Sequence, residues 1–205
     1  MSPTFHPARS ERGMALITSL LLLIIITLLA VSMFRSFGTQ EKIAGNLREK
    51  DRALHAAESA QGYGEWWLLQ GNNAVIPAVP CVAGLLNANA TANVGQICSN
   101  PLDTGLGLTV TNVPWVIPGP GGGPVGVTYQ PQTMALTSLG QAGTAGNPAH
   151  FSVPTFYIAD LGPAFDGQGE AYRIDAFGYG SNQTTIAVVE STYEVSQGVV
   201  NRSGL

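Results

Sequence analysis

The 205-residue chain holds only 11% charged residues, well under the roughly 25% usual for a soluble domain, and has room for one ordinary domain plus an appendage. Its formal charge of -4 averages two unlike parts: seven basic against four acidic side chains over residues 1–52, then two basic against nine acidic from residue 53 onward. With only Arg173 and Arg202 available there to neutralise phosphates, the acidic part is excluded as a nucleic-acid-binding surface.

From Gly13 to Phe34 the chain runs 22 residues without a charge, between Arg12 and Arg35. At about 1.5 Å per helical residue this covers the roughly 30 Å of bilayer hydrocarbon. The polar residues inside it, Thr18, Ser19, Thr27 and Ser32, carry hydroxyls that can bond back to the preceding helical turn. A secretory signal has a shorter apolar stretch and a small-residue cleavage site after it. No clean Ala-x-Ala site precedes Arg35, although a cut near Ala30-Val31-Ser32 stays open. Arg9 and Arg12 before the span predict a cytoplasmic tail and an exported acidic body.

Residues 36–70 contain no proline and are rich in Ala, Leu, Glu, Lys, Arg and Gln. Ile43, Leu47, Leu54, Ala57 and the Trp66/Trp67 pair recur at intervals compatible with one helical face, at least one of the tryptophans packing under a sheet. Arg48, Glu49, Lys50, Asp51 and Arg52 form a mixed-sign patch expected to be solvated. Gly38, Gly45, Gly62 and Gly64 weaken the helix locally, and Gly71 with Asn72 and Asn73 supplies its stop. One helix from Met14 to Gln70 would be roughly 85 Å long; the other reading is an anchor followed by a separate surface helix.

Residues 72–170 are dense in Gly, Pro and Asn and predict long irregular stretches. Cys81 and Cys98, the only cysteines, are read as a disulfide closing a loop with no core of its own, worth roughly 3 kcal/mol; two reduced core cysteines are the alternative. Export to an oxidising compartment favours the bond. Gly107–Val113 and Val125–Tyr129 alternate enough to be strands, with Pro118–Pro124 as a loop between them. That glycine run lacks a following Gly-Lys-Ser/Thr and an adjoining helix, so it is no phosphate loop. Asp160, Asp166 and Glu170 place three carboxylates in a Gly-rich stretch. Calcium favours such oxygen ligands, but the spacing is not that of an EF-hand, and a solvated turn is the reading. Tyr172–Phe177 alternates Tyr172, Ile174 and Ala176 against Arg173, Asp175 and Phe177. Gly178–Asn182 is turn-like and Thr184–Tyr193 is rich in β-branched residues, which together predict an antiparallel hairpin. It needs a further strand, Phe156–Ala159, and a covering helix.

Arg12-Gly13-Met14-Ala15-Leu16-Ile17, followed by the apolar run, resembles a class III signal, cut by prepilin peptidase between Gly13 and Met14. Gln40–Arg48 (QEKIAGNLR) and Ala53–Ala60 (ALHAAESA) resemble the PilX family of type IV pilus assembly proteins, which are minor pilins. Tyr172–Ile174 and Val188–Tyr193 are similar to that family's closing hairpin, and the specific part covers about a third of the chain. The resemblance implies an α+β, pilin-like fold in which a long helix packs its outer half on a small antiparallel sheet. It divides the chain into a leader peptide (1–13), a transmembrane or filament-core half (14–35), an amphipathic half (36–71) and a globular head (72–205). The implied role is initiation of pilus assembly with other minor pilins at the filament tip, supporting attachment and twitching motility. Implied partners are other minor pilins, the major pilin, prepilin peptidase, the inner-membrane assembly platform and, before assembly, the lipid bilayer. The implied location is the bacterial inner membrane with the head in the periplasm, then the pilus surface. N-methylation would fall on Met14, where Phe is more usual. Major pilins carry Glu at the fifth mature position; here it is Thr18, which fits a tip-most subunit and argues against a repeating one. A tolerated helix residue without positional meaning is the plainer account of it.

Catalysis is not expected. His6, His55 and His150 lie in unrelated segments, no His/Cys/Asp cluster has metal-ligand spacing, and no cofactor is implied. Two other functions share the anchor: a minor pseudopilin of a type II secretion system, and a tethered adhesin or binding module that never polymerises.

Overall fold

The computed structural model describes residues 12–89, 95–144, 148–165 and 167–196. The chain divides into two compact units, Met1–Leu47 and Arg48–Leu205. One helix, α1 (Arg12–Leu68), contributes to both. In the first unit its side chains from Met14 onward are exposed, apart from a half-buried Ala30. The hydroxyls of Thr18, Ser19 and Thr27 bond to carbonyls of the preceding turn, as Thr27 does to Ile24 O at 2.8 Å. The polar atoms of these three residues are thereby satisfied within the helix.

In the second unit α1 lies on a seven-stranded sheet. The strands are β1 (Gly84–Asn87), β2 (Ile97–Cys98), β3 (Val116–Ile117), β4 (Gly123–Thr128), β5 (Thr155–Pro163), β6 (Gly169–Tyr179) and β7 (Ile186–Ser196). Their order is β1-β4-β5-β6-β7, with β2 added beside β5 and β3 beside β4. The α+β architecture and the antiparallel hairpin are as expected. The hairpin is longer, however: Gly178 and Tyr179 continue β6, and the turn falls at residues 180–185, where Asn182 Oδ1 accepts from the N–H of both Thr184 and Thr185. The predicted strand at Phe156–Ala159 forms the start of β5, antiparallel to β6. The sheet is also mixed, since β1 runs parallel to β4 and β2 parallel to β5.

The helix face that meets the sheet matches the expected one in part: Ala57 and Trp67 lie on it, the larger aliphatic residues do not. Ala53, Ala56, Ala57, Ala60, Gly64, Trp67 and Leu68 are buried, at i, i+3, i+4, i+7 spacing. Leu54 and Trp66 turn outward, and Ile43 and Leu47 are exposed in the first unit. Close approach is the reason. A β-carbon on Gly64 would lie 3.2 Å from the Phe156 ring and 3.3 Å from Ile174, so the helix runs close to the sheet here and small residues line it from Ala53 to Gly64. The helix closes at Leu68, two residues before the expected end at Gln70. Leu69 and Gln70 N–H groups turn back to Trp66 and Trp67 carbonyls, Asn73 Nδ2 also donates to Trp67 O, and Gly71 takes φ +55°.

Phe156, Ile158, Ile174 and Ala176 fill the layer between sheet and helix. Their strand neighbours Tyr157, Ala159, Phe177 and Tyr179 face the other way, onto a second cluster with Leu102, Leu108, Trp115 and the two cysteines. That second layer is irregular chain. Residues 107–113, expected as a strand, instead follow a 3-10 turn (Thr104–Leu106) and remain in turns. Leu108 N–H bonds back to Asp103 O, and Val110 O accepts from the Trp115 indole at 3.0 Å, so local and side-chain partners replace a ladder. Val125–Tyr129 is strand through Thr128, and β4 starts inside the expected glycine loop, at Gly123.

Cys81 and Cys98 are disulfide-bonded, with Cα atoms 5.2 Å apart. The bond joins the chain before β1 to β2. Asn100 bridges the same point, accepting from Cys81 N–H at 2.6 Å and donating to Cys81 O at 3.1 Å. Replacing both cysteines with serine is expected to cost roughly 3 kcal/mol, by restoring loop entropy to the unfolded chain. Urea unfolding of the oxidised protein and the double variant would measure it; coincident midpoints would refute the estimate.

Candidate assembly surface

The largest exposed apolar surface among the described residues is the first half of α1. Met14, Leu16, Ile17 and the leucines and isoleucines from Leu20 to Leu29 are each about half to two-thirds exposed. Mean hydropathy there reaches 2.9, and none of that window is buried. By length and composition it can cross a membrane, and its position near the N-terminus is consistent with a membrane-anchored or signal-sequence-like topology. Water is a poor solvent for such a rod, because every exposed leucine forgoes roughly 2 kcal/mol of burial. Lipid or other apolar helices would serve it better.

The Gly13–Met14 bond lies in the first turn of α1, and residues 1–11 of the expected leader, including His6, lie outside the described residues. Thr18 Oγ1 donates within the helix, 3.1 Å from Met14 O and 3.0 Å from Ala15 O. That position therefore carries a neutral, internally bonded group.

The other singled-out residues do not converge. In the acidic stretch Asp160 Oδ1 accepts from Gly162 N–H at 2.7 Å, next to a bulge between β5 and β6, and Asp166 lies outside the described residues. His55 Nδ1 is 3.2 Å from Glu58 on the exposed helix surface. His150 is buried, its Nδ1 2.9 Å from Tyr179 O. Among the described residues no three His, Cys, Asp or Glu side chains are grouped to hold a metal.

Two polar arrangements were not foreseen. The patch at 48–52 is not simply solvated. Glu49 Oε2 accepts from the N–H (2.8 Å) and hydroxyl (2.6 Å) of Ser181, Glu49 Oε1 pairs with Arg52 at 2.9 Å, and Lys50 Nζ donates to Ile186 O at 2.7 Å. These contacts clasp the β6–β7 turn to α1. No spacing rule links Glu49 to Ser181, 132 residues later, so nothing local could have signalled it. The second is Asp175, which shares a strand face with Arg173 and Phe177 and is wholly buried. Its Oδ2 accepts from Arg173 Nε at 3.1 Å, while Oδ1 has no donor among the described residues. Burial pushes the carboxyl up to about 7; Arg173 opposes the rise, and Glu190, directly across the ladder, adds to it.

An apolar helix half, a continuing half that covers a sheet, and an open sheet without catalytic clustering together fit a pilin-like or pseudopilin-like structural subunit. Residues 12–60 match the family model described as PilX N-terminal. The match ends before the head and leaves the hairpin at 172–193 outside it. No curated protein and no solved structure matches this chain. The N-terminal match is consistent with a structural, pilin-like subunit.

Proposed function

We propose that this chain is a minor pilin that helps initiate type IV pilus assembly in a tip complex with other minor pilins, supporting surface attachment and twitching motility. The observation that carries the reading is the PilX N-terminal match over 12–60, which spans both the exposed apolar half of α1 and the start of its sheet-covering half. One apolar surface then serves two solvents: bilayer before assembly, neighbouring helices afterwards. Prepilin peptidase removes residues 1–13, Met14 becomes the N-methylated terminus, residues 14–35 enter the filament core, and the inner-membrane platform and the major pilin complete the assembly. The head passes from the periplasm to the pilus surface.

Thr18 supports the tip position. A carboxylate in lipid is costly unless it is paired, and a subunit with no neighbour ahead of it has no terminal amine to pair with. The same feature supports the second reading, a tip pseudopilin of a type II secretion system. Mass spectrometry of sheared filaments separates these proposals from a tethered module. The expected result is a chain beginning at Met14, far scarcer than the major subunit, and loss of pili on deletion with secretion intact. A chain beginning only at Met1 would exclude polymerisation, and lost secretion with intact pili would select the pseudopilin.

A further inference from the structure

We propose that Asp175 and Glu190 hold one proton between them across the β6–β7 ladder, and that this proton clasps the terminal strand of the sheet. Asp175 and Glu190 are directly opposed in register. β7 ends the strand order, so among the described residues β6 is its only ladder partner. Asp175 is wholly buried with one oxygen lacking a donor among the described residues, while Glu190 is exposed. Two carboxylates cannot hydrogen-bond each other without a proton. A proton placed between them gives the orphaned oxygen its partner and removes a like-charge contact that would otherwise oppose pairing.

The groups facing Asp175 agree with this. From β5, Tyr157 is its cross-strand neighbour; its hydroxyl is committed to Asn100 O, and burial raises its own pKa, so it supplies no charge. From β6, Arg173 is the one cation among the described residues there, and its guanidinium is shared: Nη2 lies 3.4 Å from Leu102 O in the loop after β2. Asp103 of that loop adds negative charge near Tyr157. Glu190 completes the set from β7. One cation among three carboxylates leaves two negative charges uncompensated, and a shared proton removes one of them.

The sign follows from the raised pKa. The folded chain keeps a proton that the unfolded chain releases above its ordinary value of 3.8. Stability therefore falls as pH rises from about 4 to about 7 and is level above that. This holds whether or not the chain enters a filament.

The test is a carboxyl-carbon NMR titration of the full-length protein in detergent micelles, with amide exchange of β7 read alongside. Asp175 is expected to titrate near neutrality, with Glu190 responding at the same pH. In E190Q, a change at an exposed position, the Asp175 midpoint is expected to drop by about one unit or more, which is about tenfold in proton affinity. Exchange at Ile186–Ser196, corrected for intrinsic rates, is expected to rise about tenfold between about pH 5 and about pH 9 in the wild type and to stay level in D175N. Asp175 titrating in the ordinary carboxylate range, or an unmoved midpoint in E190Q, would overturn the shared proton. An equal rise in exchange in D175N would overturn the clasp.

Discussion

Gly178→Val is expected to cost the head about 3 kcal/mol or more and to separate the hairpin from the helix. A β-carbon at Gly178 would sit 2.5 Å from Ala57 N, 2.6 Å from Ala56 Cβ and 2.8 Å from Ala53 O. Two of these three atoms are helix backbone, which cannot rotate aside as a side-chain end would. Overpacking in a core commonly costs about 1–3 kcal/mol when side chains can adjust; here the helix as a whole has to back away. It is held at that end by Glu49 and Lys50 on the β6–β7 turn, so backing away also strains the clasp. Urea unfolding followed by fluorescence of the buried Trp67 and Trp115 gives the measurement. Gly178→Ala should already be destabilised, and an unchanged midpoint for it would refute the close approach.

The contrast is Gly62, also in α1 but exposed, where an added β-carbon meets nothing within 4 Å. Gly62→Ala is expected to stabilise the head by about 0.5–1 kcal/mol, the gain of replacing an unconstrained glycine in a helix interior. Opposite signs at Gly62 and Gly178 would distinguish contact from backbone entropy.

These two glycines also mark where the sequence could and could not be read. The apolar run from Met14 to Phe34 is legible because an uncharged stretch of that length has few other uses. The hairpin is legible because Tyr172, Ile174 and Ala176 alternate with their neighbours and Thr184–Tyr193 is β-branched. The buried helix face was not, because its signal is the absence of bulk. Ala53, Ala56 and Ala60 carry little hydropathy beside the expected Ala57, whereas the bulkier Leu54 and Trp66 face out. The burial of Asp175 was not legible, because alternation gives the side of a strand but not what lies over it. That face is covered by Cys81, Leu102, Leu108 and Trp115, from chain with almost no periodicity. As for the assembly surface, its apolar character is plain in the sequence. Whether lipid or protein covers it, and whether Gly13–Met14 is cut, depends on molecules outside this chain.

Trp115→Ala is expected to cost about 3–5 kcal/mol, the usual range for emptying a buried aromatic site. The indole is almost wholly buried, packs edge-on against Phe177 at 4.8 Å and Tyr157 at 6.5 Å, and donates to Val110 O. Trp115→Phe keeps most of the ring but leaves the Val110 carbonyl without its donor, so about 1–3 kcal/mol should be lost there. Other attachments of the irregular layer to the sheet include the disulfide, the Tyr157 and Arg173 bonds to Asn100 and Leu102 carbonyls, and the Val125 N–H bond to Trp115 O. Trp115 and the disulfide thus hold the same stretch of chain from its two ends. Once either is lost, part of what the other held is already loose. Combining Trp115→Ala with Cys81→Ser and Cys98→Ser should therefore cost less than the sum of the separate losses. Strict additivity in urea unfolding would mean that the two anchors hold independent pieces, and the single-layer description of the far face would fail.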